Sequence, residues 1–173
     1  MKGVFWKEGE PFTNSMSLIV SLLIRYPEIA TLKLDPDLKC FIFGFMIMRG
    51  LSPKELKSLR MEIQLSLEVF ADLTQQTPTV FSISFRRSKG LTFLEVKRDI
   101  LSLSQDEISL LVSIVMKRFH EDLAKDQDDE VGEDEQYFQE EMIDHMLEDL
   151  KDTRQEKKLI GIREEGRVMI FNR

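Results

Sequence analysis

A chain of 173 residues with 42% hydrophobic and 32% charged residues has the composition of a soluble globular protein, one domain in size, and not of a disordered or fibrous one. Its single cysteine, Cys40, excludes an internal disulfide. Its apolar runs at residues 18–24 and 41–48 fall well short of the roughly 20 residues that span a bilayer, so no membrane segment is expected and a reducing cytoplasm fits the composition.

The charge is unevenly distributed. Residues 126–150 hold twelve acids and no Lys or Arg, so they carry −12 of a total of −7 and leave +5 on the rest. A mildly basic body with an acidic appendage is expected.

The first dozen residues, with Gly3, Gly9 and Pro11, read as an irregular arm. Lys2 and Lys7 ahead of the first apolar run resemble a signal peptide. Glu8 and Glu10 interrupt that pattern, and Arg25-Tyr26-Pro27-Glu28 is a poor cleavage context, so the run is read as a core helix. Thr13, Asn14 and Ser15 offer N-caps for that helix, and Pro27 stops it after about Arg25. Leu32 and Leu34 then alternate with Thr31 and Lys33 as in a half-buried strand, Pro36-Asp37 turns the chain, and residues 40–48 return.

The return strand is apolar on both faces, Phe41, Phe43, Phe45 and Ile47 on one and Ile42, Met46 and Met48 on the other. Both faces must therefore be covered, and the N-terminal helix or a second subunit are the candidates. Phe41, Phe43, Phe45 and Ile47 are assigned to a homodimer interface.

Ser52-Pro53-Lys54-Glu55 forms a capping box with proline at the first helical position. Leu56, Leu59, Ile63, Leu67 and Phe70 carry that helix to about Leu73. Lys54, Lys57 and Arg60 near its start oppose the helix dipole, with no local partner evident. A second hairpin follows Pro78, with Phe81, Ile83 and Phe85 alternating with serines, a turn at Ser88-Lys89-Gly90 and a return over residues 92–100. Ser104-Gln105-Asp106-Glu107 then caps a helix so apolar that it is expected to be central. The two S-x-x-E boxes lie 52 residues apart and each follows a hairpin. An internal duplication accounts for this, and so does coincidence, since capping boxes are common.

Residues 126–136 read as a solvated acidic linker. An amphipathic helix follows, apolar at Phe138, Met142, Ile143, Met146, Leu147 and Leu150. Residues 159–163 and 167–171 form a last strand pair, joined through Glu164-Glu165-Gly166 as a bulged hairpin.

The residues with chemistry are few. His145 shares a helix face with Glu141 and Glu148 as a metal site would need, but carboxylates four apart are unavoidable at this charge density, and a solvated helix surface is the preferred reading. His120 suits a helix C-terminus better than general base work. Cys40 lies in no catalytic motif, no serine occupies a G-x-S-x-G elbow, and no glycines cluster into a phosphate loop. No catalytic, cofactor or metal residue is therefore assigned. Arg86, Arg87, Lys89, Lys97 and Arg98 around Phe93 make the second hairpin a candidate nucleic-acid contact, against the plainer reading of an edge strand guarded by charge. Asp128, Asp129, Glu130, Glu133, Asp134 and Glu135 are candidates to mask it.

The fold expected is α+β: an antiparallel sheet from two hairpin–helix units with helices on one face, an N-terminal helix, an acidic C-terminal helix and a final hairpin. Residues 1–125 form the body, and residues 126–173 form an appendage packed on it. The function expected is a non-enzymatic cytoplasmic interaction or regulatory protein, homodimeric, with nucleic-acid association as the alternative. No motif is specific enough to name a family.

Overall fold

A computed structural model describes residues 4–5, 13–125, 131–154 and 157–172. In chain order they form β1 (Val4–Phe5), α1 (Asn14–Arg25), β2 (Thr31–Asp35), β3 (Cys40–Ile47), α2 (Pro53–Leu73), β4 (Phe81–Ser88), β5 (Leu91–Asp99), α3 (Gln105–Phe119), a 3-10 turn (His120–Asp122), α4 (Glu133–Lys151), β6 (Leu159–Glu164) and β7 (Arg167–Asn172). The strands make one seven-stranded sheet in the order β1-β7-β6-β2-β3-β5-β4. Six of them are antiparallel to their neighbours, and β1 runs parallel to β7.

The α+β architecture follows the polarity of the elements. Towards the helices the central strands bury Leu32 and Leu34, then Phe41, Phe43, Phe45 and Ile47, then Leu94 and Val96, with Thr92 and Arg98 in the same register of β5. These side chains form a single core with the helices. At β6 the helix layer comes so close that a Cβ on Gly161 would lie 2.4 Å from Ile19 Cγ2 and 2.8 Å from Leu23 Cδ1, so only glycine fits beneath α1. Helix α1 is itself enclosed, with Met16, Leu18, Ile19, Leu22 and Leu23 buried. Beyond it lies α4, which buries Ile143, Leu147 and Leu150 and holds Arg25 of α1 through Glu140 at 2.6 Å. Helix α2 covers the other end of the sheet, where Arg60 donates to the Ile83 carbonyl of β4 at 2.6 Å.

Phe41, Phe43, Phe45 and Ile47 have no exposed surface. They lie inside the chain's own core and present nothing to a second subunit, which corrects their assignment to an interface. The physical reason is that the chain supplies its own cover for that face. The opposite face of β3, with Ile42, Gly44 and Met46, is the one left partly exposed at Ile42 and Met46.

The chain segment 126–173 does not sit on a finished body. Strand β6 pairs with β2, so the final hairpin extends the same sheet. Residues 126–130 lie outside the described residues. Glu133, Asp134 and Glu135 form the first turn of α4, where the helix dipole favours them, and do not belong to a linker. Two hairpins turn on adjacent residues with positive φ, Lys89-Gly90 at 50° and 77° and Glu165-Gly166 at 50° and 74°. That is the type I′ signature, so the last hairpin has a tight two-residue turn and not the bulge expected from its sequence. Past Gly44, the edge of β3 left by β2 is taken by the segment after α3: Met48 N donates to Asp122 O at 2.6 Å and Ala124 N to Met46 O at 2.9 Å.

The two capping boxes differ in detail. Ser52 accepts from Glu55 N, and the Glu55 carboxylate accepts from Ser52 N at 2.8 Å, a complete box. Ser104 likewise accepts from Glu107 N at 3.2 Å. The Glu107 carboxylate, however, turns inward to Arg98, because a buried guanidinium is a stronger claimant than a helix amide.

Candidate binding face of the sheet

The alternate side chains of the strands point away from the helix layer. Strand register sorts them into rows. One row runs Ser82, Lys97, Ile42, Lys33, Ile160 and Phe171; the next runs Ser84, Glu95, Gly44, Thr31, Ile162 and Met169. A shorter row joins Arg86, Phe93 and Met46. No described helix lies over these rows, and most of their members are half-buried among themselves. Phe171 is 49% exposed. The face therefore has an apolar end on β6 and β7, a charged middle at Lys33 and Glu95, and an aromatic and basic end on β4 and β5.

Glycine again permits a close approach. A Cβ on Gly44 would lie 2.7 Å from Phe93 Cζ and 2.1 Å from Thr31 Oγ1, so the ring rests on bare backbone. The Arg86 guanidinium sits over the same ring at 5.1 Å from its centre, within cation–π range. Glu95 lies between two cations, 3.1 Å from Lys33 Nζ and 3.8 Å from Arg86 Nη2. Beside them a groove of about 430 Å³ is lined by Met46, Arg86, Ser88, Lys89, Leu91 and Phe93.

Of the six residues assigned to nucleic acid, the fold brings Arg86, Lys89 and Phe93 together in this groove. Lys97 shares the face but stands two residues further along β5, beyond Glu95. Arg87 points to the helix side and donates to the Leu51 carbonyl at 3.1 Å, closing the entry to α2. Arg98 is only 1% exposed and cannot contact an external ligand.

Arg98 anchors a buried network instead. Its Nε and Nη2 donate to Glu107 at 2.7 and 2.8 Å, Nη1 donates to Val80 O at 3.1 Å and to Asp99, and Nη2 donates to Ser102 Oγ at 3.0 Å. Burial opposes its charge, but the Glu107 and Asp99 carboxylates outweigh burial and hold its pKa above the usual value. Asp99 also accepts from the amides of Thr79, Val80 and Ser102 and from Ser102 Oγ. Burial raises its pKa, and these donors together with Arg98 more than reverse that, bringing it to about 2. The network ties the end of β5 to the start of α3, a structural task.

The remaining candidate groups are also structural. The Cys40 thiol donates to Leu38 O at 3.1 Å, and burial pushes its pKa up, which makes it a poor nucleophile. Tyr26 OH meets Ser109 Oγ at 2.6 Å and accepts from Gln105 Nε2 at 2.6 Å, joining α1 to α3, and burial raises its pKa. His120 caps α3 with φ at 43°, its N–H donating to Met116 O. Among the described residues no three His, Cys, Asp or Glu side chains come together as a metal site needs, and His145 with Glu141 and Glu148 is no exception. No helix among them is long and apolar enough to cross a membrane.

Met46, Leu91 and Gly44 belong to the site although sequence reasoning did not assign them to it. The signal for Met46 was present in the second apolar face of β3. Gly44 carried no signal, because its role depends on a ring from another strand.

These features define an α+β protein with one face of its sheet packed by helices and the other partly open. No family model, curated protein or solved structure matches the chain.

Proposed function

We propose that this chain is a non-enzymatic binding module that takes a protein partner on the open face of its sheet. The observation that carries this reading is the set of half-buried apolar side chains on the side away from the helices, Ile160, Ile162 and Met169 at one end and Ile42, Met46 and Phe93 towards the other. Apolar surface left on a folded protein marks interaction sites when it is contiguous and rimmed by polar groups. Lys33, Lys97, Arg86 and Lys89 outnumber Glu95 among the charges of this face, so the fitting partner combines apolar side chains with carboxylates. A cytoplasmic location belongs to the reading and is supported by the single buried thiol of Cys40.

A second reading has its own observation. The Arg86–Phe93 pair beside Lys89 is a stacking surface with cations in reach, the combination that holds a single-stranded nucleic acid. Photo-crosslinking in the native cell separates the two. A photoreactive residue in place of Ile160 or Met46 is expected to give a discrete adduct that protease removes and nuclease does not. A nuclease-sensitive adduct confined to position 46 supports nucleic acid, and adducts no stronger than those from exposed Tyr137 on α4 refute both readings.

A further inference from the structure

The face of α2 turned away from the core carries a pattern that its own chain does not use. Met61, Leu65 and Val69 recur at intervals of four and are 61%, 63% and 49% exposed. Lys54 lies seven residues before Met61 and Asp72 seven after Leu65, so Lys54, Met61, Leu65 and Asp72 share one face opposite buried Leu59, Ile63 and Leu67. The spacing of seven, four and seven reads the same from either end. The charges do not: the face is basic at its start, with Lys57 beside Lys54, and acidic at its end, with Glu68 beside Asp72.

Both ends are wrong for a solitary helix. Cations near an N-terminus and carboxylates near a C-terminus oppose the helix dipole, and α2 has no basic residue in its last turn to compensate. Other charges of this helix are locally accounted for. Glu55 pairs with Arg49 at 3.1 Å, Glu62 pairs with Arg118, and Arg60 bonds to Ile83 O and stacks on Phe85 at 5.1 Å. Lys54, Lys57 and Asp72 form no ion pair with any described residue.

We infer that α2 pairs with α2 of a second copy of this chain, antiparallel about a two-fold axis that passes level with residue 63. In that arrangement Met61 meets Leu65 of the second copy, and Lys54 meets Asp72 at both ends. Lys54 and Asp72 then each face an opposite charge, and the two dipoles run in opposite senses. The helix is about 31 Å long at 1.5 Å per residue, so one helix per copy makes an interface at the small end of the specific range and a reversible dimer. The inference is independent of the sheet face, which lies on the other side of the molecule.

Sedimentation of the full chain over a range of concentrations tests it. The wild type is expected to reach twice its 20.3 kDa mass in a concentration-dependent way, and Leu65→Glu to remain monomeric. Lys54→Asp and Asp72→Lys should each weaken the dimer about tenfold, because the two-fold axis removes two pairs at once. The two reversals combined in one chain should restore it. These positions are exposed, and a native far-UV circular dichroism spectrum with a cooperative unfolding transition would show the variants folded. A wild type that stays monomeric overturns the inference, as does a dimer indifferent to Leu65→Glu and to both charge reversals.

Discussion

At the scale of single residues, the strongest constraint is the buried Arg98 cluster, whose charges balance only as a set. Replacing Arg98 with methionine keeps much of its volume but leaves Glu107 and Asp99 without their cation, so a loss of about 3–5 kcal/mol is expected in chemical denaturation. The pH dependence follows from Asp99. Its folded pKa of about 2 lies below the ordinary 3.8, so the folded state holds its carboxylate more tightly than the unfolded state does. Its contribution to stability is therefore complete above pH 3.8 and fades as the pH falls through about 2. Asp99→Asn should flatten the acid limb of a stability profile in that window, and a limb of unchanged slope would show that Asp99 does not set it. None of this was legible in the sequence. Arg98 read as one more cation of a basic ribbon because the alternation that turns it inward, in step with Leu94 and Val96, places a charge where an apolar residue is expected.

At the scale of elements, local chemistry was largely sufficient. Ser52 and Ser104 start helices as their capping patterns imply, Pro53 stands at the first turn, and the apolar stripe of Leu59, Ile63 and Leu67 is the buried one. Ser52→Ala and Ser104→Ala should each cost about 1 kcal/mol, measured as a shift of the denaturation midpoint at constant slope. The acidic partners should behave differently. Glu107→Gln is expected to destabilise more than Glu55→Gln, since Glu107 is buried against Arg98 and Glu55 is half exposed. Equal effects would mean that both act only as caps. What the sequence concealed was the direction of the second box, because the competing guanidinium comes from a strand nine residues upstream and its reach depends on the fold. The acidic helix shows the same limit. The helix itself was legible from Phe138 to Leu150, but its start was placed late because Glu133, Asp134 and Glu135 look like linker residues until their position in the first turn is known. Helix α4 packs on α1 through Arg25 and Glu140, and among the described residues Glu133, Asp134 and Glu135 form no ion pair with the second hairpin; Asp128, Asp129 and Glu130 lie outside the described residues.

At the scale of the whole molecule, the sheet has two unlike faces, one packed by helices and one partly open. Period-two alternation is read in β2 and β4 alone, and the helices do lie on one side of the sheet. The sequence could not say that β6 returns to pair with β2 or that β1 adds beside β7, because such pairings join residues more than a hundred positions apart through backbone groups every residue has. It was for the same reason that the apolar surplus of β3 was divided wrongly between core and interface: both faces read alike until the helices claimed one. Methionine oxidation followed by mass spectrometry examines the division directly, since Met46 and Met169 stand on the open face, Met16 is 1% exposed in the core, and Met142 on α4 is 45% exposed as a reference. In the purified protein Met46, Met169 and Met142 should react and Met16 should not. In an extract of the native cell Met46 and Met169 should become protected while Met142 remains reactive. Full protection of Met46 and Met169 in the purified protein, or no change on adding the extract, would contradict the claim that this face is open and takes a partner.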